Sequence, residues 1–214
     1  MPQPRVPAVP AAVSSLLLVQ DDFQRFDARR WQVESEQPER SRVFVEQGRL
    51  IMDTAAGMTV WLRQRLSGAY RIEFLRQVLV AGQANDRLSD MNLFWGAHDG
   101  DGLLSRDGVL ESYDSLATWY VGMGGNTNTT TRFRFYDGQG ERQLLGESLE
   151  AAHLLEAGRI YRIRIDVTAT STAYRVDDEL VFEQALHGLP ADGYFGFRSV
   201  WSRQAISRFK VCAL

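Results

Sequence analysis

The stretch that decides the fold class is Gly68-Ala69-Tyr70-Arg71-Ile72-Glu73-Phe74, in which apolar and charged side chains alternate after a turn-forming glycine. An alternation with a period of two gives a β-strand one core-facing side and one wet side. Residues 161–167 repeat the pattern, and shorter strand-like runs occupy 16–19, 42–46, 49–53, 59–66, 91–96, 118–123, 131–136, 193–199 and 206–212. Helical periodicity is scarce. The sequence therefore predicts an all-β fold, a β-sandwich of two antiparallel sheets.

Length and composition limit the class of protein. The chain has 214 residues, of which 44% are hydrophobic, so it can bury a substantial core. A net charge of −3 gives no general attraction to nucleic acid or to an acidic membrane, and no apolar run reaches membrane-spanning length. We expect neither partner, and the composition leaves the oligomeric state open.

The expected organisation is a Pro-rich tail over residues 1–15 followed by one sandwich domain over residues 16–214. The tail lacks the long apolar centre of a signal peptide, so a cytoplasmic location and a periplasmic or secreted one both stay open. Cys212 is the only cysteine, which rules out a disulfide within the chain.

Two segments, residues 86–95 and 120–134, carry far more hydrogen-bonding groups than a strand needs. They combine Arg, Asp, Asn and Thr with Trp and Tyr. A sugar site uses such groups, because planar donors bind the hydroxyls and an aromatic face packs on the C–H face of the ring. An Arg fork is the natural partner of a sugar carboxylate or sulfate. We expect the polar residues of both segments to line one concave surface, namely Arg87, Asp90, Asn92, Asn126, Asn128, Arg132 and Arg134.

The candidate substrate-binding residues are Arg87, Asn92, Trp95, Asn126, Asn128, Thr130, Arg132, Arg134, Arg198 and Trp201. Phe94 and Trp95 should point to opposite faces of their strand. Trp95 can either share the core face or reach the rim of the cleft from near the strand end. Trp201 can stack on a sugar or close the core. The Gly-rich run at 124–128 lacks the Lys-Ser/Thr ending of a phosphate-binding loop.

The candidate catalytic residues are Asp90, Tyr120, Tyr113, Glu73 and His98. Asp90 either transfers a proton or steadies a loop by pairing with Arg87. Either tyrosine can carry a proton in β-elimination, in which Arg neutralises a uronate carboxylate, or it can simply pack between the sheets. Glu73 is the best single carboxylate for a hydrolysis.

No cofactor and no metal site are expected, because the three histidines lie far apart in sequence. The run His98-Asp99-Gly100-Asp101-Gly102 fails the EF-hand spacing and is better explained as a solvated loop, although a structural Ca²⁺ is compatible with it.

The order of features along the chain resembles the concanavalin A-like lectin/glucanase superfamily. The resemblance is carried by Asp-Asp-Phe at 21–23 with Trp31, by residues 48–50 and 68–74, and by Tyr-Arg-Val-Asp-Asp-Glu-Leu-Val-Phe at 174–182 with residues 193–198. Within the superfamily, residues 86–95 and 120–134 resemble the YesU-like bacterial family, whose members are largely domains of unknown function. The resemblance implies a jelly-roll sandwich and a carbohydrate role.

The chain also departs from this superfamily. It lacks the Glu-x-Asp-x-x-Glu strand of the β-glucanases and the Gln-x-His and Tyr-x-Lys strands of the alginate lyases. The leading hypothesis is a carbohydrate-active protein that acts on an oligosaccharide or polysaccharide, expected to be acidic, as a lyase or glycoside hydrolase. The alternatives are a non-catalytic carbohydrate-binding module or lectin, and a scaffold or interaction domain.

Overall fold

A computed structural model describes residues 16–100, 102–103 and 105–214, and it is built almost entirely from antiparallel strands. The predicted tail, residues 1–15, lies outside the described residues. The strands are β1 (Leu17–Asp21), β2 (Trp31–Ser35), β3 (Arg42–Glu46), β4 (Arg49–Leu62), β5 (Tyr70–Leu79), β6 (Met91–His98), β7 (Ala117–Gly124), β8 (Thr130–Asp137), β9 (Arg142–Ser148), β10 (Ile160–Val167), β11 (Ser171–Val176), β12 (Glu179–Ala185) and β13 (Tyr194–Ala213). Short helical turns cover Leu110–Tyr113, Gly125–Asn128 and Ala151–His153.

The strands form two sheets that share the long strands β4 and β13. The first sheet runs in the order β12, β11, β10, β5 and the C-terminal half of β13, with β1, β3 and the first half of β4 beyond it. The second runs β9, β8, β7, β6, the N-terminal half of β13, the second half of β4, and β2. The predicted sandwich of antiparallel sheets is confirmed.

The prediction of separate strands at 49–53 and 59–66, and at 193–199 and 206–212, was wrong. Each pair is one strand that bends from the first sheet into the second. The pairing of β13 with β4 shifts by a bulge between Val200 and Ser202, where Trp201 takes a φ of +44°. Strands that switch sheets turn their corner at such a bulge, which interrupts the alternation that a sequence prediction follows.

The core lies between the sheets. The predicted core side of β5, Tyr70, Ile72 and Phe74, is buried there, as is the row Leu93, Trp95, Trp119, Val121 and Phe133 on β6 to β8. The next residues along those strands face away from the core. We call that side the outer face of the second sheet. Phe94 lies on it and Trp95 in the core, so their predicted opposite orientation is confirmed.

None of the described helices is long and apolar enough to cross a membrane.

Candidate functional site

The outer face of the second sheet holds a small polar cavity of about 140 Å³. Antiparallel pairing brings its walls together, because Tyr120 of β7 lies opposite Arg134 of β8, and Gly122 lies opposite Arg132. Of the predicted site residues, the lining contains Asp90, Tyr120, Asn126, Thr130, Arg132 and Arg134, and Leu110, Gly122 and Gly125 complete it. The two polar segments of the sequence therefore meet at one site, which we call the polar cavity.

One wall of the cavity is cationic. The half-buried guanidinium of Arg134 makes no hydrogen bond or ion pair with any residue that the structure describes. Arg132, two residues earlier on the same strand face, is paired with Glu147 of β9. A guanidinium without a carboxylate partner in a concave site is a natural binding group for an anion.

Asp90 is held at the opposite wall by its backbone and its side chain. Its φ is +60°, and its N–H donates to the carbonyl of Gly124 at 3.2 Å. Its Oδ2 accepts hydrogen bonds from the Arg87 guanidinium at 2.7 Å and the Ser89 hydroxyl at 2.5 Å. A non-glycine residue in the left-handed region is a strained conformation that often marks a functional site. The sequence left open whether Asp90 pairs with Arg87 or serves a site, and the structure shows it doing the first while lining the cavity.

Tyr120 forms the floor between these walls. Burial raises the pKa of the Tyr120 phenol well above its usual value, and Tyr136 and Asp90 raise it further. The guanidiniums of Arg198 and Arg134 offset this only in part. Tyr120 is therefore protonated at neutral pH, and its hydroxyl can donate a proton or a hydrogen bond.

Two residues predicted to line the surface, Asn92 and Asn128, lie beside the cavity and are not part of its lining. Asn92 is buried behind Gly122 and donates from Nδ2 to Asp90 at 3.4 Å. Asn128 binds the backbone of Leu155 from both ends of its amide, with Oδ1 accepting at 2.8 Å and Nδ2 donating at 2.9 Å. Asn128 thus holds a turn in place. We predicted that its amide binds a ligand, but both ends of the amide are occupied by Leu155.

Arg87 anchors a corner of the fold. It donates to the carbonyls of Val200 and Trp201, and its guanidinium carbon lies 5.9 Å from the centre of the Trp201 ring. Trp201 is 48% exposed. Arg87 bridges the Trp201 ring and the Asp90 carboxylate, to which it donates at 2.7 Å. The centre of the ring therefore lies within about 10 Å of that carboxylate, since one C–N bond joins the two contacts. Trp201 does not close the core, and its exposed ring lies beside Arg87, the residue that pairs with Asp90 of the cavity.

Trp95 and Arg198 are too deeply buried to contact a sugar. The Trp95 ring is fully buried, stacks on Phe133 and donates to Thr172. Arg198 is 1% exposed and donates to Thr59 and to the carbonyl of Gly108. The prediction that both bind substrate at a surface is wrong for this conformation.

Tyr113 is buried in the segment that covers part of this face, residues 105–116, which we call the covering segment. Its hydroxyl donates to Glu34 of β2 at 2.7 Å, and burial and that carboxylate raise the pKa of Tyr113. The sequence did not single out Glu34. It is 2% exposed and also accepts from Gln32, Trp61 and the N–H of Arg106. The sequence offered little signal, because Glu34 lies in the mixed segment Trp-Gln-Val-Glu-Ser that forms β2, a strand that was not predicted.

Glu73 and His98 lie away from the polar cavity. Glu73 projects from the first sheet, where it pairs with Lys210 at 3.4 Å and lines a separate cavity of about 380 Å³. His98 is exposed at the far end of β6, on the order of 20 Å from Met91 at the rise of a strand. Neither joins the site.

In the part of the chain that is described, no three His, Cys, Asp or Glu side chains are placed to hold a metal ion together. Asp99, from the predicted Asp-Gly loop, is bound by the Arg106 guanidinium at 2.7 and 2.9 Å.

Solved structures of other proteins share this architecture. A protein of unknown function with a galectin-like fold from Bacillus subtilis is 14% identical, with 92% of this chain and 96% of that one covered and a TM-score of 0.76. The carbohydrate-binding module CBM66 from Bacillus subtilis is 8% identical over 86% and 96% of the two chains, with a TM-score of 0.60. An endo-β-1,3-glucanase from Pyrococcus furiosus is 8% identical over 92% and 94%, with a TM-score of 0.63. At these identities the likeness establishes the jelly-roll fold alone.

No curated protein matches the chain in sequence. The resemblance to the YesU-like family stays a prediction. The model of the family described as domain of unknown function DUF6250 matches residues 52–209. Because this match spans well over half of its length, the chain belongs to the DUF6250 family.

Proposed function

We propose that the protein binds an acidic oligosaccharide at the outer face of the second sheet, with a carboxylate or sulfate of one sugar unit on Arg134. The observation that carries this proposal is the unpaired guanidinium in a polar cavity. Such a guanidinium has its donors free to bind a ligand carboxylate or sulfate through two parallel hydrogen bonds. Asn126, Thr130 and Tyr120 add hydrogen-bonding groups suited to sugar hydroxyls, and Trp201 offers an aromatic surface nearby.

Proteins of similar fold support a carbohydrate ligand. Their names include a carbohydrate-binding module, a glucanase and a crystal structure in complex with laminaritriose and laminaritetraose. The similarity of fold to these proteins favours a sugar as the ligand. The unpaired Arg134 in the polar cavity favours a sugar that carries a negative charge.

The test replaces Arg134 and measures binding of two matched ligands, a uronic-acid tetrasaccharide and its carboxyl-reduced neutral counterpart. We expect Arg134→Ala to weaken the uronate by at least about tenfold, because a hydrogen bond to a charged group contributes about 1.5–3 kcal/mol. The neutral ligand should change little. Calorimetry measures both, with Arg29→Ala as the control, since Arg29 is 86% exposed and lines a different pocket.

Equal losses for the two ligands would contradict the anion assignment. If a panel of acidic polysaccharides, uronic and sulfated, shows no binding to the unaltered protein, the scaffold alternative replaces this proposal.

A second candidate function is β-elimination at a uronic acid. It is favoured by the position of Tyr120 and Asp90 in the same cavity as Arg134. A bound carboxylate neutralised by Arg134 would acidify the C5 proton, a base would remove that proton as the C4–C5 double bond forms, and the departing oxygen would take a proton from an acid. Tyr120 is the candidate acid because of its position, since its hydroxyl carries a proton and Arg134 beside it partly offsets the rise in pKa that burial causes. Hydrolysis with paired carboxylates is less suited, because Asp90 is the one carboxylate among the residues lining the cavity.

The lyase candidate predicts that Tyr120→Phe binds the uronate normally and forms the unsaturated product about 10²–10⁴-fold more slowly, because the ring still packs but the proton carrier is lost. Ultraviolet absorbance of the new double bond is the measurement. Binding without any product from the unaltered protein, in this assay and in a reducing-sugar assay, would leave the lectin alternative.

A further inference from the structure

Two oxygens converge beside Gly122 at the base of the polar cavity. A Cβ on Gly122 would lie 2.8 Å from the Tyr120 hydroxyl oxygen and 3.2 Å from Oδ1 of Asn92. Only a hydrogen fits between Gly122 and these oxygens. Gly122 and Tyr120 both line the cavity, so the two oxygens lie next to the site.

The Asn92 amide is oriented so that its oxygen faces Gly122. Nδ2 donates to Oδ1 of Asp90 at 3.4 Å, which identifies the nitrogen end, because a carboxylate accepts and does not donate. Oδ1 is then left as a buried acceptor, and within the described structure nothing donates to it. The residue is 1% exposed. A buried acceptor without a donor is destabilising, and in a native protein it calls for an explanation such as a ligand.

We infer that the base of the cavity at Gly122, bounded by Asn92 Oδ1 and the Tyr120 hydroxyl, is a subsite that accepts a hydrogen bond from a free hydroxyl of the sugar bound at Arg134. This inference rests on the proposed function. A cavity of about 140 Å³ holds a single sugar unit. That unit therefore places its anionic group on the Arg134 guanidinium and one hydroxyl on the Asn92 oxygen. The preferred unit is therefore a uronic acid whose hydroxyl is unsubstituted. The same uronic acid with that hydroxyl methylated or sulfated is excluded.

The experiment compares a uronic-acid tetrasaccharide with its O-methylated form, in the unaltered protein and in two variants. Gly122→Ala crowds both subsite oxygens without removing a polar group, and Asn92→Leu replaces the amide with an apolar side chain of similar shape. The control is Gly102→Ala, because a Cβ there would meet no atom of the described residues within 4 Å.

The unaltered protein and the control should bind the free tetrasaccharide at least about tenfold more tightly than the methylated one. In both variants this ratio should fall close to one. The melting temperature without ligand is a second measurement. If Asn92 had only a structural role, its replacement would lower the melting temperature clearly. Asn92→Leu should melt close to the temperature of the unaltered protein, because the loss of a buried acceptor that has no donor offsets the loss of the long hydrogen bond to Asp90.

A ratio that stays unchanged in Gly122→Ala, with the uronate still bound, overturns the subsite and leaves the proposed function standing. If no uronate binds the unaltered protein, the proposed function fails. The subsite rests on that function and fails with it.

Discussion

At the scale of single residues, two carboxylates four positions apart have different surroundings. The side chain of Asp86 is 2% exposed and is fully engaged, accepting from Arg203 and from the N–H groups of Ala81 and Gln83. Asp90 lines the polar cavity and has an unsatisfied neighbour in Asn92. Saturated polar groups hold a fold together, whereas unsatisfied ones in a cavity point to a ligand.

We predict that Asp86→Asn lowers the free energy of unfolding by about 3 kcal/mol at neutral pH, because it leaves Arg203 without its counter-charge. Burial opposes ionisation of Asp86, but the hydrogen bonds from Arg203 and the two N–H groups outweigh it, so the pKa of Asp86 lies below its usual value. This stabilisation is complete above the unfolded pKa, about 4, and is lost as the pH falls through the lower folded pKa. Urea unfolding of both proteins from neutral to acidic pH should show curves that converge below pH of about 4. A constant difference across that range would contradict the assignment.

At the scale of elements, the covering segment is tied to the second sheet through backbone contacts. Gly57 and Gly108 touch so closely that a Cβ on Gly57 would lie 2.3 Å from the Gly108 carbonyl oxygen. That same carbonyl accepts from the buried Arg198. Leu110 of the segment then forms one wall of the polar cavity. The position of the segment therefore sets the shape of the site.

We predict that Gly108→Ala destabilises the protein by about 2 kcal/mol or more. Gly108 has a φ of +87°, and a Cβ there would lie 2.6 Å from the N of Glu36, a backbone atom that cannot move aside cheaply. Thermal unfolding and the rate of proteolysis within the covering segment are the measurements, with Gly102→Ala as the control. Unfolding curves that coincide for the two variants would mean that the segment does not depend on this contact.

At the scale of the whole molecule, the two long strands separate two surfaces. The polar cavity lies on the outer face of the second sheet, whereas Glu73 and Lys210 line the larger cavity on the first. The strands β4 and β13 contribute to both sheets. The two cavities nevertheless lie on different sheets, so a ligand in one cavity does not contact the residues of the other.

We predict that Asp90→Asn weakens uronate binding by about tenfold, because Arg87 loses its charged partner and the wall of the cavity relaxes. Glu73→Gln should leave the affinity within about twofold, since its carboxylate pairs with Lys210 on the other sheet. Calorimetry with the same tetrasaccharide measures both variants. A larger loss for Glu73→Gln would move the binding site to the first sheet.

The sequence by itself determined the all-β class, most strand positions and the shared face of Arg132 and Arg134. These features follow from the period-two alternation of side chains, which is local and survives in any tertiary arrangement. It also identified the two segments that meet at the polar cavity, because their excess of polar groups has no role in a strand.

Only the tertiary structure decided burial and continuity. Trp95, Arg198 and Tyr113 belong to residue types that suit a sugar site, but their burial depends on partners far away in sequence. These partners are Thr172 for Trp95, Thr59 and Gly108 for Arg198, and Glu34 for Tyr113. The merging of four predicted strands into β4 and β13 was hidden because the strand exchanges its neighbours at the Trp201 bulge. The orphaned oxygen of Asn92 depends on which donors approach it in space, and no pattern along the chain encodes that.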